Sequence, residues 1–354
     1  MPTSPLPSAP YPTLLGDDFK LGVALEAAKA AVALQFPGLP LPALSLVAVN
    51  EQGGNFDFLH AGMNFSDMFY SGSLPKIGAM YAAFELLRAM NENDEITNAA
   101  SPAAAFARAR ALFDPVIDAS SALISAAAPQ VTNEMRLPTY GSIFSAVPRI
   151  GGGFAFALRG SFTTDMRDMI VKSDNGAAGK CIMALGYSWL NGCLERAGFF
   201  FPPAKAGIWL AGTYIGAWPP VRVPCVNDTP TAQGITCFDT ANLYAHLLQG
   251  TLTGSNANCS SMLALLSEAA GFDSAFLDWI RRGLPPKSYQ VNQTKIGIGT
   301  RVGRKNVLSE ATVLTHVPTG RRFIAVLQNI EDPGVLDVPA TLVDTAINSF
   351  VAMP

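Results

Sequence analysis

The sequence predicts an α+β fold, an antiparallel sheet formed from both chain ends plus a largely helical middle. Three observations carry this reading. Near the start, ALSLVAV (43–49) and FDFLHAGMNF (56–65) read as strands joined across Asn50-Glu51-Gln52-Gly53-Gly54. Near the end, 289–298, 310–316 and 322–328 read as three more, the last two linked by the turn Val317-Pro318-Thr319-Gly320. Between them, apolar residues recur at helical spacing over most of 71–284. Strands at both ends around a helical centre combine most simply into one sheet.

The elements follow in order. Asp17-Asp18 cap a helix, FKLGVALEAAKAAVALQF, which Pro37-Gly38 ends. His60 lies among apolar neighbours in the second strand and reads as structural. Ser71-Gly72 turns the chain into a helix on which Ile77, Met80, Tyr81, Phe84 and Leu87 form the buried face. Two alanine-rich helices, 99–112 and 115–128, are separated at Asp114-Pro115. Residues 137–147 read as loop or short strands, and Gly151-Gly152-Gly153 as a mobile joint, so that 91–160 reads as an inserted helical subdomain or as a lid over the site. A helix from Phe162 stops at Lys172. Ser173-Asp174-Asn175 connects it to a second helix, AAGKCIMALGYSWLNGCLERAG. The aromatic residues of 200–218 read as core. Asp239-Thr240 cap NLYAHLLQG, in which His246 is structural, and helices at 259–270 and 273–282 end at Gly283-Leu284-Pro285. A helix over 339–352 closes the chain. Residues 1–16 are expected to be a flexible leader and 17–354 a single domain, with 17–70 and 285–354 its α/β part.

Composition narrows the function. Hydrophobic residues make up 49% of the 354, enough for a large core, and a net charge of −3 offers no basic surface for nucleic acid. No run approaches the roughly 20 apolar residues of a membrane span. The proline-rich opening, MPTSPLPSAPYPTLLGDD, has neither the basic nor the apolar segment of a secretory signal. The location stays open: cytoplasmic as the sequence stands, periplasmic or secreted if a leader was removed. Cys225 and Cys237 flank a loop that could close as a disulfide in an oxidising compartment or stay as free thiols.

The chemistry centres on Ser73-Leu74-Pro75-Lys76. Proline is tolerated in a first helical turn, where a missing N–H costs nothing. Serine and lysine three apart then share one helix face, with the hydroxyl at the positive end of the dipole. A hydroxyl, a neighbouring amine and backbone donors are the parts of an activated nucleophile. With only nine lysines in the chain, each one inside a motif is informative. Alone, Ser173-Asp174-Asn175 reads as a turn, and Lys295 on its strand as a charge that blunts a sheet edge.

Together, Ser73-x-x-Lys76, Ser173-Asp174-Asn175 and Lys295-Ile296-Gly297-Ile298-Gly299-Thr300 resemble, in order and context, the serine β-lactamase and penicillin-binding protein superfamily. The likeness is to its class A-like branch and extends over about 17–354. MRDMIVKSDNGAAGKCIMALG, TANLYAHLLQGTL and IRRGLPPKSYQVNQTKIG also look like family segments. The resemblance implies an acyl-enzyme on Ser73, with Lys76 as base and Lys295 supplying positive charge. Ser173 would relay a proton, and Asn175 would orient Lys76 and a substrate amide. The N–H groups of Ser73 and Ile298 would hold the oxyanion, and Gly297, Gly299 and Thr300 would bind substrate. It implies no cofactor and no metal. The partner is a small acyl substrate, an amide, ester or β-lactam.

Two departures stand out. Class A enzymes carry a glutamate in a loop after the SDN motif, accepted as the deacylation base. Here no Asp or Glu occurs between Glu195 and Asp228, and Glu195 comes too early, within the second SDN helix. Ile296 replaces the family's usual hydroxyl that meets a substrate carboxylate, which points to a less charged acyl substrate. The expectation is a serine hydrolase cleaving an amide or ester. The alternatives are a true β-lactamase or D-Ala-D-Ala peptidase with a displaced base such as Asp228, and a penicillin-binding sensor or scaffold without turnover.

Overall fold

The computed structural model describes residues 4–272, 275–303, 306–331 and 335–354, in two compact units. One comprises Thr13–Leu74, Pro224–Pro230 and Gly234–Pro354; the other comprises Met1–Pro12, Pro75–Val223 and Thr231–Gln233.

The first unit holds a six-stranded sheet in the order Leu15–Asp17, Asn55–Met63, Ala43–Gln52, Arg322–Ile330, Asn306–His316, Tyr289–Thr300. Strands from both chain ends meet where Ala43–Gln52 pairs antiparallel with Arg322–Ile330, Leu46 opposite Ala325. The sheet is mixed rather than wholly antiparallel, because Leu15–Asp17 adds a parallel edge beside Asn55–Met63. That short strand has no alternating pattern to announce it. Alternation elsewhere sends Leu44, Leu46, Ala48, Phe323, Ala325 and Leu327 to one face. There they pack against the helices Phe19–Gln35 and Asp337–Ala352 through Leu21, Leu25, Val32, Leu342, Val343 and Ile347. Asp18 caps the first of these helices, its carboxylate accepting from Leu21 N at 2.7 Å.

The helix Cys237–Gln249 is capped by Thr236, not by Asp239 as the sequence suggests; Thr236 Oγ1 accepts from Asp239 N at 3.1 Å. Its Tyr244 hydroxyl donates to Ala311 O at 3.1 Å. The expected helix at 273–282 is absent over 275–282, and 273–274 lie outside the described residues. There the buried Glu310 carboxylate accepts from Phe276 N and Leu277 N, each at 2.9 Å, and a single helical turn closes later, Arg282 N donating to Asp278 O at 2.9 Å.

In the second unit, the Lys76–Glu92 helix receives Trp189 Nε1–H on Ala82 O at 2.9 Å. The two helices expected around Asp114-Pro115 are one, Pro102–Asp118. Pro115 falls in its last turn, where losing one N–H removes a single bond before the helix ends anyway. The expected glycine joint is the tip of a hairpin, Phe144–Pro148 with Phe154–Leu158, and Gly151, Gly152 and Gly153 all have positive φ. The long helix expected after the SDN connector is two, Asn175–Leu185 and Tyr187–Ala197. The break is Gly186, at φ +76°, where a Cβ would lie 2.4 Å from Arg136 O. Residues 5–11 are held by backbone acceptors: Pro7 O takes Arg196 Nε–H at 3.0 Å, and Tyr11 N–H donates to Ala197 O at 2.9 Å.

All five cysteines are free thiols, Cys225 and Cys237 among them. Among the described residues no helix is long and apolar enough to cross a membrane.

Candidate active site

In the sheet unit, the Ser73 turn is built on the strand that carries Lys295. Leu74 N–H bonds back to Ser71 O at 3.2 Å, closing the turn. Ser309 Oγ–H, from the neighbouring strand, donates to that same carbonyl at 2.8 Å. Gly297 has no side chain because none fits: a Cβ would lie 2.0 Å from Ser71 O and 2.7 Å from Leu74 N. Gly72, at φ +54°, lies so close to Ile298 that a Cβ would meet Ile298 O at 2.3 Å. The backbones of 71–74 and 297–298 are therefore in direct apposition, and the two expected oxyanion donors, Ser73 and Ile298, belong to these apposed segments. Gly299 makes room for the Tyr70 hydroxyl, which a Cβ would meet at 2.5 Å.

Lys295 is buried at 1% exposure, and its Nζ donates to Ile296 O at 2.9 Å. A lysine that blunts a sheet edge keeps its ammonium in water, so burial removes that reading. Ile296 packs into the helix-covered core, Ile298 is exposed, and Thr300 Oγ1 donates to Asn306 Oδ1 at 2.8 Å. Ser73 is 8% exposed, and its hydroxyl makes no hydrogen bond among the described residues.

Asn227, which the sequence did not single out, grips both backbone groups of Tyr70. It accepts from Tyr70 N at 2.8 Å and donates Nδ2–H to Tyr70 O at 3.2 Å. Next to it, Asp228 Oδ1 accepts from Thr229 N at 2.8 Å and Val302 N at 3.0 Å. Such side-chain clamps on a backbone leave no periodic trace in a sequence. For the Ser309 clamp, Ser309→Ala is expected to leave the Ser71 carbonyl with Leu74 N–H as its donor and cost about 0.5–1.5 kcal/mol. A lower denaturant midpoint at an unchanged slope would show it.

In the helical unit, Lys76 is the first residue of its helix, with Pro75 as the cap. Ser73 thus lies in the turn before the helix rather than on its first turn; Leu74 N is spent on Ser71 O, and the helix begins with Gly78 N to Pro75 O at 2.9 Å. Lys76 is fully buried. Its Nζ donates to Ser173 O at 2.7 Å and Asn175 Oδ1 at 2.8 Å, with Asp174 O at 3.4 Å. Lys76, Ser173 and Asn175 are thereby brought together, through the Ser173 carbonyl and the Asn175 side chain. Ser173 holds the left-handed conformation, φ +58°, and Asp174 caps the following helix through Ala177 N at 2.6 Å. Burial lowers the Lys76 pKa to about 7, against the opposing pull of the Asp174 carboxylate. The amine also faces the ring of Tyr214, 4.6 Å from its centroid.

Glu195 accepts from Ser121 Oγ at 2.5 Å and is pushed up to about 7 by burial. Among the described residues no group of histidine, cysteine and carboxylate side chains could hold a metal ion.

No family model matches the chain, and no curated protein matches it. Solved structures do. The TLA-3 extended-spectrum β-lactamase aligns with a TM-score of 0.52 at 12% identity, over 92% of this chain and 97% of its own. The penicillin-binding protein PBP-A gives 0.51 at 14% identity, over 98% and 100%. A class A β-lactamase from Bacteroides cellulosilyticus gives 0.50 at 14%, over 92% and 98%. At such identities the likeness is one of architecture, and it spans nearly the whole of each protein. The chain has the fold of the serine β-lactamases and penicillin-binding proteins.

Proposed function

We propose that the chain is a serine hydrolase that cleaves an amide or ester through an acyl-enzyme on Ser73. The observation that carries this reading is the Lys76 amine: buried, oriented by Ser173 and Asn175, and titrating near neutrality three residues after the serine. A lysine that is partly neutral at pH 7 is a competent base for a hydroxyl. In this reading Ser73 Oγ attacks the acyl carbon while Lys76 Nζ takes its proton. The Ser173 hydroxyl then passes a proton to the leaving group, and Lys295 supplies positive charge. The N–H groups of Ser73 and Ile298 receive the oxyanion, each such donor lowering the barrier by about 3 kcal/mol. Water, activated by Lys76, releases the acyl group. Gly297, Gly299 and Thr300 line the substrate's path along the strand, and residues 17–354 act as one catalytic domain. Position 296 offers no hydroxyl to a substrate carboxylate, its isoleucine lying in the core, which supports a less charged acyl group than a penicillin or a D-alanyl peptide, so short esters are the expected substrates.

A second reading, acylation without turnover as in a penicillin-binding sensor, is favoured by the carboxylates. None occurs between Glu195 and Asp228, and Asp228 is occupied by two backbone N–H groups. Intact mass after exposure to a fluorophosphonate and to a penicillin separates the readings. A hydrolase shows a permanent phosphonate adduct and a transient or absent penicillin adduct; a sensor keeps the penicillin for hours. Both adducts vanish in Ser73→Ala. A parent protein that takes up neither reagent is not a serine hydrolase.

A further inference from the structure

The segment that carries Tyr214 is shaped around the Lys76 amine. On the Asn175–Leu185 helix, Gly179 is bare, and a Cβ there would lie 2.5 Å from Ile215 Cδ1 and 3.0 Å from Thr213 O. The segment can therefore lie directly on the helix at Thr213 and Ile215. Between these two contacts Tyr214 adopts φ +63°, a left-handed conformation that tyrosine rarely takes and that persists only where the surroundings enforce it. The ring is thereby held over Lys76 Nζ, whose protons go to Ser173 O and Asn175 Oδ1. Downstream, the segment is anchored where Trp218 packs edge-on against Tyr187, with ring centroids 5.4 Å apart.

The geometry points to Tyr214 as a positioning residue whose ring keeps water off the Lys76 amine and so sets the pH at which Ser73 becomes reactive. This rests on the reading of Lys76 as the base. Two effects of the ring oppose each other. Its face attracts an ammonium, which favours the charged form, but it also replaces the water that would solvate that charge. At Lys76 burial is the largest influence, ahead of the Asp174 carboxylate, and we take the ring's exclusion of water to outweigh its attraction. Within the helical unit the charged side chain acting on the amine is Asp174, which pulls the other way; Ser173 and Asn175 contribute neutral oxygens. Removing the ring gives up its attraction for the ammonium but admits water to the amine, with Asp174 still in place, and the gain in solvation favours the protonated lysine.

The test is the pH dependence of Ser73 labelling by a fluorophosphonate in the parent, Tyr214→Ala, Tyr214→Gly and Tyr214→Phe. Glycine accepts the left-handed backbone and guards against an alanine variant that folds poorly. The parent midpoint is expected near the Lys76 value of about 7. Alanine and glycine should raise it by about one pH unit or more, and phenylalanine, which keeps the ring, should hold it. An unchanged midpoint in the alanine and glycine variants, or a phenylalanine midpoint as high as theirs, overturns the proposal. Titration of the Lys76 side chain by carbon-detected NMR, assigned with Lys76→Met, reads the same shift without any reaction at Ser73. If the parent fails to label, the hydrolase reading falls, while the NMR titration still decides the role of Tyr214.

Discussion

Lys76→Met is expected to abolish labelling of Ser73 and, below neutrality, to leave a protein at least as stable as its parent. The first half follows from the proposed role of Lys76 as base; a serine without one retains only its weak intrinsic reactivity, and losses of 10³-fold or more are expected. The second half follows from burial. Burial brings the Lys76 pKa in the folded state down to about 7, from the 10.5 of an ordinary lysine. Below pH 7 both the folded and the unfolded chain hold the proton, and the folded state bears the full cost of a buried ammonium. Between pH 7 and 10.5 the unfolded state binds more protons, so the lysine protein gains stability as pH rises, by about 1.4 kcal/mol per pH unit within that window. Methionine has the length and none of the charge, but it leaves Ser173 O and Asn175 Oδ1 without a donor, at about 1–3 kcal/mol. The variant's advantage should thus be greatest near pH 6 and fade, then reverse, toward pH 10. Urea unfolding of both proteins across that range checks it. A stability difference that stays constant from pH 6 to 10 would mean that the amine is not titrating in the folded protein.

Gly297→Ala is expected to be nearly as damaging, for a different reason. The φ of this glycine is ordinary, so the backbone itself would tolerate a side chain. What forbids it is the turn: Ser71 O at 2.0 Å, Ser309 Oγ at 2.5 Å and Leu74 N at 2.7 Å from the new methyl. Two of these three are backbone atoms and cannot rotate away. Ser309 can, but only by breaking its bond to Ser71 O. The turn must lift off the strand, with about 1–3 kcal/mol of overpacking strain and an ångström-scale displacement of Ser73. Misplacement on that scale lowers rates by about 10²-fold. A variant that labels as fast as the parent would show that the nucleophile does not depend on this apposition.

The sequence carried the architecture further than its local detail. The paired ends of the sheet were legible because Ala43–Gln52 and Arg322–Ile330 keep their apolar faces in register over long runs. The edge strand Leu15–Asp17 was not, since three residues hold no periodicity. Helix limits failed at Pro115, harmless in a last turn; at Gly186, fixed by the approach of Arg136; and over 275–282, where Glu310 accepts two backbone N–H groups. At the site, Lys76, Ser173 and Asn175 could be proposed from motif order alone. Tyr214, Asn227 and Ser309 could not, because each acts through one contact with a distant part of the chain.

The bond between Ser309 and Ser71 spans 238 positions. A ribosome therefore releases the serine turn long before its support exists. Until the last strands emerge and pair with the first, the hydroxyl has neither the apposed strand nor a fixed direction. If Ser73 is the nucleophile proposed above, its reactivity should arrive only with completion of the sheet. Closing so long a loop is slow, so newly made protein should lag in labelling behind its helix content.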